Sequence, residues 1–255
     1  MITIRSAQWY GWTRDTPDFR DHKFSLLSSS FPPLTVDNRA TDWGVYDQGN
    51  IGSCTANASI SAFRHVLKRE GLPDFDGSRL AQYYWSRYLE GKTKSDDGAE
   101  LRDAVKVLAK FGLAAETAWP YDPKKLTKGP PAKVGRDAKK HVALQYQSVA
   151  LTRMDICSAI ANNGQVLAGF SVYDSFQSDA VASTGLMPMP TSTETLVGAH
   201  AVELVGYDLL VQHPIVIAKN SWGTSWGDHG YFYIPFAYLT NPNLSGDFWT
   251  LVAVK

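Results

Sequence analysis

Cys54 lies in the stretch "YDQGNIGSCTANASISAF", Tyr46 to Phe63, between a glycine turn and the start of a helical pattern. At a helix N-terminus the unpaired N–H groups and aligned peptide dipoles favour negative charge, so a thiol placed there ionises more readily than a free one. The position also suits a small buried hydrophobe in an Ala/Ser-rich helix, the commoner fate of a lone free cysteine. A thiolate nucleophile needs a base to hold it ionised and later protonate the leaving group, and that base needs an orienting partner. The second half of the chain offers both: His200 opens the apolar run "AHAVELVGYD", and Asn220 closes "IVIAKNSWG", at a strand-to-loop edge where side chains turn toward a cleft.

Those three residues must be carried on elements far apart in sequence, and the texture of the chain supplies them. With Ser53 as N-cap, Ile60, Phe63 and Leu67 recur at helical spacing and Gly71 suits a left-handed C-terminal cap. A second helix is expected through "SRLAQYYWSRYLE". A third, "GAELRDAVKVLAKFG", puts Leu101, Val105, Leu108 and Phe111 on one face, and "TRMDICSAIANNG" opens on a capping box at Thr152 and Asp155. Residues 113–141 read as loop-rich. Beyond the fourth helix the period shortens to β-branched and aromatic runs: "QVLAGFSVY", "AHAVELVGY", "PIVIAKN", "GYFYIP" and "FWTLVAVK". The expectation is an α+β fold, a helical lobe followed by a mainly antiparallel β lobe.

A chain of 255 residues with 44% hydrophobic content can bury one large core, or two subdomains sharing one. Lysine plus arginine and aspartate plus glutamate both number 25, so no net field draws nucleic acid or an anionic membrane, and neither is expected as a partner. The basic run "KKLTKGPPAKVGRDAKKH" (Lys124 to His141) lacks interleaved aromatics and reads as a solvated connection. No stretch approaches the roughly 20 apolar residues of a membrane helix, and "MITIRSAQWYGWTRDTPDFRD" has no signal-peptide apolar region. The expectation is a soluble chain, cytoplasmic or exported by a leaderless route. Cys54 and Cys157 are the only cysteines, too few for a disulfide framework or a Cys-rich zinc site. One disulfide between them would consume the thiol at the helix start. Cys157, on a helix, reads as a buried small residue. The remaining histidines, His22, His65, His141, His213 and His229, have no metal-ligand spacing and read as surface or structural.

"QGNIGSCTANA", "GAHAVELVGYD" and "KNSWGTSWGDHGYFYI" resemble, in order, the three signature segments of the papain-like cysteine peptidases, especially bacterial members with a short N-terminal segment. His200 follows Cys54 by 146 residues, within the roughly 130–150 that such peptidases use. The resemblance implies a two-lobe fold with the cleft between a helical lobe and a β-barrel-like one. It implies Cys54 as nucleophile, His200 as general acid and base, Asn220 as the amide that holds the imidazole, and Gln48 as side-chain donor of the oxyanion hole. Trp222 matches the indole that shields the His/Asn hydrogen bond. Gly98 matches the backbone edge that hydrogen-bonds extended substrate, and Ala199 borders the main specificity pocket, which implies a hydrophobic P2 side chain. The implied reaction is endopeptidase cleavage through a thioester, on peptide or protein substrates, by a monomer that uses no cofactor and no metal.

The departures are local. Where plant and lysosomal members read Cys-Gly-Ser-Cys-Trp, this chain has Ile51, Gly52, Ser53, Cys54 and Thr55, which removes half of a family disulfide and an aromatic behind the nucleophile. The resemblance implies a catalytic domain over 31–255, helical mainly over 50–120 and β mainly over 140–255. Residues 1–30 precede it. Either they lie over the cleft as a short pro-segment anchored by Trp9, Tyr10 and Trp12, or they pack elsewhere on the surface. A non-catalytic relative that binds peptides in the old cleft is the alternative to an enzyme, and the intact Gln/Cys/His/Asn set favours catalysis.

Overall fold

The computed structural model describes residues 10–25 and 31–255. The chain enters as a two-residue strand, β1 (Trp12–Thr13), and a short strand β2 (Thr35–Asp37). Helix α1 (Cys54–Arg69) follows, buried along most of its length. Its Ser53 makes no capping bond to the helix and instead pairs with the Tyr121 hydroxyl at 2.5 Å. Gly71 adopts φ +68°, the left-handed conformation that lets the Leu72 N–H turn back to the Leu67 carbonyl. Helix α2 (Arg79–Leu89) is capped by Ser78, and a short strand β3 (Ala99–Glu100) runs straight into α3 (Leu101–Lys110), whose Leu101, Val105 and Leu108 are buried as their spacing requires.

The loop expected over 113–141 contains a further helix, α4 (Ala132–Ala138). Pro130 and Pro131 read as breakers, but a proline just ahead of a helix loses nothing, because the N–H groups there have no intrahelical partner anyway. Strand β4 (Ala143–Val149), α5 (Arg153–Asn163), β5 (Val166–Tyr173), α6 (Asp179–Thr184), β6 (Leu196–Asp208), β7 (Ile215–Lys219), β8 (Tyr231–Pro235), α7 (Phe236–Leu239) and β9 (Ser245–Val254) complete the chain. Thr152 caps α5 by accepting from the Asp155 N–H at 3.1 Å, and Gly164 closes it at φ +84°. The sheet runs β4-β9-β5-β6-β7-β8 with every neighbour antiparallel, and β2 pairs with β6. A helical region followed by an antiparallel sheet is the α+β arrangement the sequence implied.

Register decides which side chains meet. Glu203 pairs with Lys219 across β6 and β7, so Asn220 arrives level with Val202 and on the face that carries His200, two residues away. The opposite face of β6, with Ala199, Ala201 and Glu203, meets α1. There Ser61 donates to Glu203 at 2.5 Å and His65 Nδ1 lies 3.3 Å from the same carboxylate. Lys219 completes the cluster, its ammonium 2.8 Å from Asp42 and 2.6 Å from the Trp43 carbonyl. Asp42, His65 and Glu203 offer ligand atoms within 4.8 Å of one another, a grouping that no sequence spacing announced. Lys219 supplies positive charge there. Burial pushes the Asp42 carboxyl up, whereas Glu203, despite a burial effect of the same sign, is held below the ordinary range by His65 and Lys219.

This buried cluster ties α1 to the strands that carry His200 and Asn220. Replacing Lys219 with methionine strands two buried carboxylates and is expected to cost about 3–5 kcal/mol of stability, read by urea denaturation. A loss below about 1 kcal/mol would contradict the charge-balancing role.

Candidate active site

The loop before α1 is held by side chains from distant segments. Asp96 accepts the Gly52 N–H at 3.0–3.1 Å and the Tyr83 hydroxyl at 2.6 Å, and the Tyr83 oxygen in turn accepts the Gly98 N–H at 3.1 Å. Gln48 is pinned at its backbone, whose N–H donates to the Ser221 carbonyl at 2.9 Å. Its side-chain oxygen accepts from the Ser221 hydroxyl at 2.6 Å, and its amide nitrogen donates to the Ile51 carbonyl at 2.9 Å. Asp96, Tyr83 and Ser221 escaped the sequence reading. Their task is to hold other residues, and nothing in their local context marks that.

Cys54 is fully buried and carries a free thiol. Its sulfur meets the backbone of Ala201, next to His200, and the backbone of Gly11. The His200 Nε2 lies 2.8 Å from Asn220 Oδ1, which also accepts the Ser221 N–H at 2.8 Å. Trp222 stacks on the imidazole with ring centroids 5.0 Å apart and planes at 29°. Ala199 lies against the apolar cluster that contains Cys54, and Gly98 stands at φ +76° beside Gly11. Cys54, His200, Asn220, Gln48, Trp222, Gly98 and Ala199 therefore surround one site. Cys157 sits instead among the apolar residues of a separate core cluster, unbonded to Cys54.

The site is covered by the chain's own N-terminal segment. Tyr10 meets His200 edge-on at 5.8 Å and Trp222 at 6.0 Å, Gly11 passes over Cys54, and Trp12–Thr13 pairs in parallel with Ala99–Glu100. The Ala99 N–H donates to the Gly11 carbonyl at 2.8 Å. No side chain fits at Gly11, where a Cβ would come within 1.7 Å of the Gly52 carbonyl oxygen. Past the crossing, Asp15 accepts from the Arg102 N–H at 3.0 Å and the Trp249 indole at 2.7 Å, and Arg102 pairs with Asp21 at 2.5 Å. Tyr10 and Trp12 are both buried here; Trp9 lies outside the described residues.

The covering segment corrects one expectation. A cysteine at a helix start was expected to be acidic, but burial pushes the Cys54 thiol up to about 11, outweighing the backbone N–H groups that favour the anion. With the segment in place, water cannot solvate the thiolate.

Known proteins place this arrangement. A family profile described as papain family cysteine protease matches residues 32–240. The chain is 37% identical over its whole length to an uncharacterized peptidase C1-like protein, L477, of Acanthamoeba polyphaga mimivirus, covering 90% of that protein. It is 30% identical to a cathepsin B-like protein, CP2, of Giardia intestinalis, over 74% of this chain and 62% of that one. Among solved structures it superposes on xylellain, a cysteine protease from Xylella fastidiosa, with a TM-score of 0.90, 35% identity and full coverage of both chains. Among the described residues no helix is long and apolar enough to cross a membrane. The three signature segments, the sheet order and these likenesses agree, and the chain belongs to the papain family of cysteine proteases.

Proposed function

We propose that the chain is a cysteine endopeptidase in which Cys54 attacks the peptide carbonyl, His200 carries the proton to the leaving amine, and water then hydrolyses the thioester. The observation that carries this reading is the His200–Asn220 contact at 2.8 Å beneath the Trp222 ring, one residue from the backbone that touches the Cys54 sulfur. Asn220 takes the Nε2 side of the ring, which leaves proton exchange with sulfur to Nδ1. The Gln48 side chain, oriented by Ser221, and the Cys54 N–H are the donors for the oxyanion. Gln48→Ala is expected to lower kcat about a hundredfold or more with little change in KM; a KM effect alone would assign Gln48 to ground-state binding. The edge at Gly98 and Ala99 hydrogen-bonds extended substrate, and the apolar surroundings of Ala199 favour a hydrophobic P2 side chain.

Residues 1–30 act as a short pro-segment, and residues 31–255 as the catalytic domain. The way Gly11 crosses the sulfur supports this. Its N–H faces Cys54, so the planar trans peptide turns the Tyr10 carbonyl away, and its own carbonyl is taken by Ala99. Neither carbonyl beside the nucleophile is presented for attack, so the segment blocks the site without being its substrate. Incubating the reduced full chain carrying Gly11→Val, which displaces the segment, with a peptide mixture and sequencing the products tests the activity. Internal cuts are expected; stepwise trimming from one end would replace the endopeptidase reading with an exopeptidase one.

A further inference from the structure

Ser53 occupies the N-cap position of α1, yet its hydroxyl is spent elsewhere. It lies 2.5 Å from the Tyr121 hydroxyl, which donates to the Gln48 carbonyl at 2.8 Å. A carbonyl only accepts, so the Tyr121 proton belongs to Gln48 and the Ser53 proton to Tyr121. Behind Ser53, the Asn57 amide nitrogen donates to the Ser53 hydroxyl oxygen at 3.0 Å and to the Ser53 carbonyl at 2.9 Å. The result is a one-way chain of donors, Asn57 to Ser53 to Tyr121 to Gln48, in which each bond polarises the next. It runs from the first turn of α1, beside Cys54, to the residue whose side chain is an oxyanion donor in the proposed reaction.

Tyr121 is itself firmly placed. Its backbone N–H donates to Glu116 at 2.6 Å, and the Arg79 guanidinium lies over its ring at 4.1 Å. That guanidinium also faces the Tyr46 ring at 4.6 Å, donates to the Asp47 carbonyl at 3.0 Å and reaches the Asn57 side-chain oxygen at 3.4 Å. Ser221 ties Gln48 to the loop after β7, and Tyr121 ties it to the helix that carries the nucleophile.

We infer that Tyr121 is a positioning residue for the oxyanion site: its hydroxyl sets the separation of the two donors, the Gln48 amide and the Cys54 N–H, and so acts through Gln48 on the transition state. The inference rests on the reading of Gln48 as an oxyanion donor. Donors arranged in advance around developing charge lose effect when they drift, because the anion must then pull them into place. A tether that merely stabilised the loop around Tyr121 would act on folding and on every property of the site alike.

Tyr121→Phe, in the full chain carrying Gly11→Val to displace the segment, decides between them. The substitution keeps the ring under Arg79 and frees Ser53 to cap α1, so the urea midpoint is expected to stay in place. The kcat is expected to fall about tenfold with KM unchanged. Iodoacetamide is expected to alkylate Cys54 at the parent rate, because displacement of iodide by sulfur develops no oxyanion. In a Gln48→Ala background the same substitution is expected to cost less than about twofold, since the donor it positions is gone. An unchanged kcat, a tenfold loss that persists without Gln48, or alkylation that slows in step with kcat overturns the inference. A peptide aldehyde gives a readout without turnover: the Cys54 sulfur bonds to its carbonyl carbon, the thiol proton passes to its oxygen, and that oxygen takes the oxyanion position. Its dissociation constant is expected to rise about tenfold with Tyr121→Phe. If Cys54 alkylates but no peptide is cut, the peptidase reading is what fails, and the aldehyde measurement still decides the role of Tyr121. Residual closure of the segment is common to both chains and cancels from each ratio.

Discussion

Gly11→Val raises the rate at which iodoacetamide alkylates Cys54 by about a hundredfold or more, and brings the pH of half-maximal reaction down from about 11 toward the neutral range. The cause is steric. A Cβ at residue 11 lies 1.7 Å from the Gly52 oxygen, and Gly52 cannot yield because Asp96 holds its N–H. Overlap of that size costs about 3 kcal/mol or more, and the segment relieves it by lifting away. Alkylation needs the sulfur exposed, so its rate follows the population of the lifted form, and about 3 kcal/mol corresponds to roughly a hundredfold. The pH shift has its own sign. Burial raises the thiol, and with the segment gone the helix terminus and the imidazole act on a solvated sulfur, lowering it. Phe19→Ala, at a side chain 96% exposed, serves as the control and should change neither quantity. Equal rates for the parent and the valine variant would end the covering role of the segment.

Cys54→Ala, placed in the Gly11→Val chain, abolishes peptide hydrolysis, with a loss of at least about ten-thousandfold, while the fold stands. No other described side chain offers a comparable nucleophile: Cys157 lies in a separate core cluster, and burial pushes its thiol up to about 12. Removing one sulfur from a closed site costs about 1 kcal/mol, small against the stability of a domain this size. The rate falls far because a nucleophile and its base act as a unit, and the base alone has nothing to deprotonate. Retention of measurable turnover by the alanine chain, with contamination excluded by active-site titration, would require a different mechanism.

What the sequence made legible was local. Thr152 was readable as a cap, Gly71 as a left-handed stop, and the five β-branched runs as strands, because each depends on neighbours within a turn or two, whereas Ser53, read as a cap, bonds to Tyr121 instead. Family resemblance supplied Gln48, Trp222, Gly98 and Ala199, which no periodicity would have selected. Helix α4 was hidden by the prolines that introduce it, and β4 by the polar residues in "ALQYQSV". Contacts that bridge the chain left no trace. Lys219 meets Asp42 across 177 positions and Trp12 meets Asp247 across 235, and the positive φ at Asp247 has no local signature. The raised thiol belongs to this class too, since it depends on a glycine 43 residues upstream with room for no side chain.

Asp15, the residue that fastens the segment to α3 and β9, has its carboxyl raised to about 7, first by burial and then by the charge of Asp247. A carboxyl raised on closing holds a proton that it releases on opening, so closure takes up acid. Between the ordinary 3.8 and about 7, each step downward in pH tightens the latch and each step upward loosens it. Acid is thus expected to hold the segment closed and neutralisation to free it.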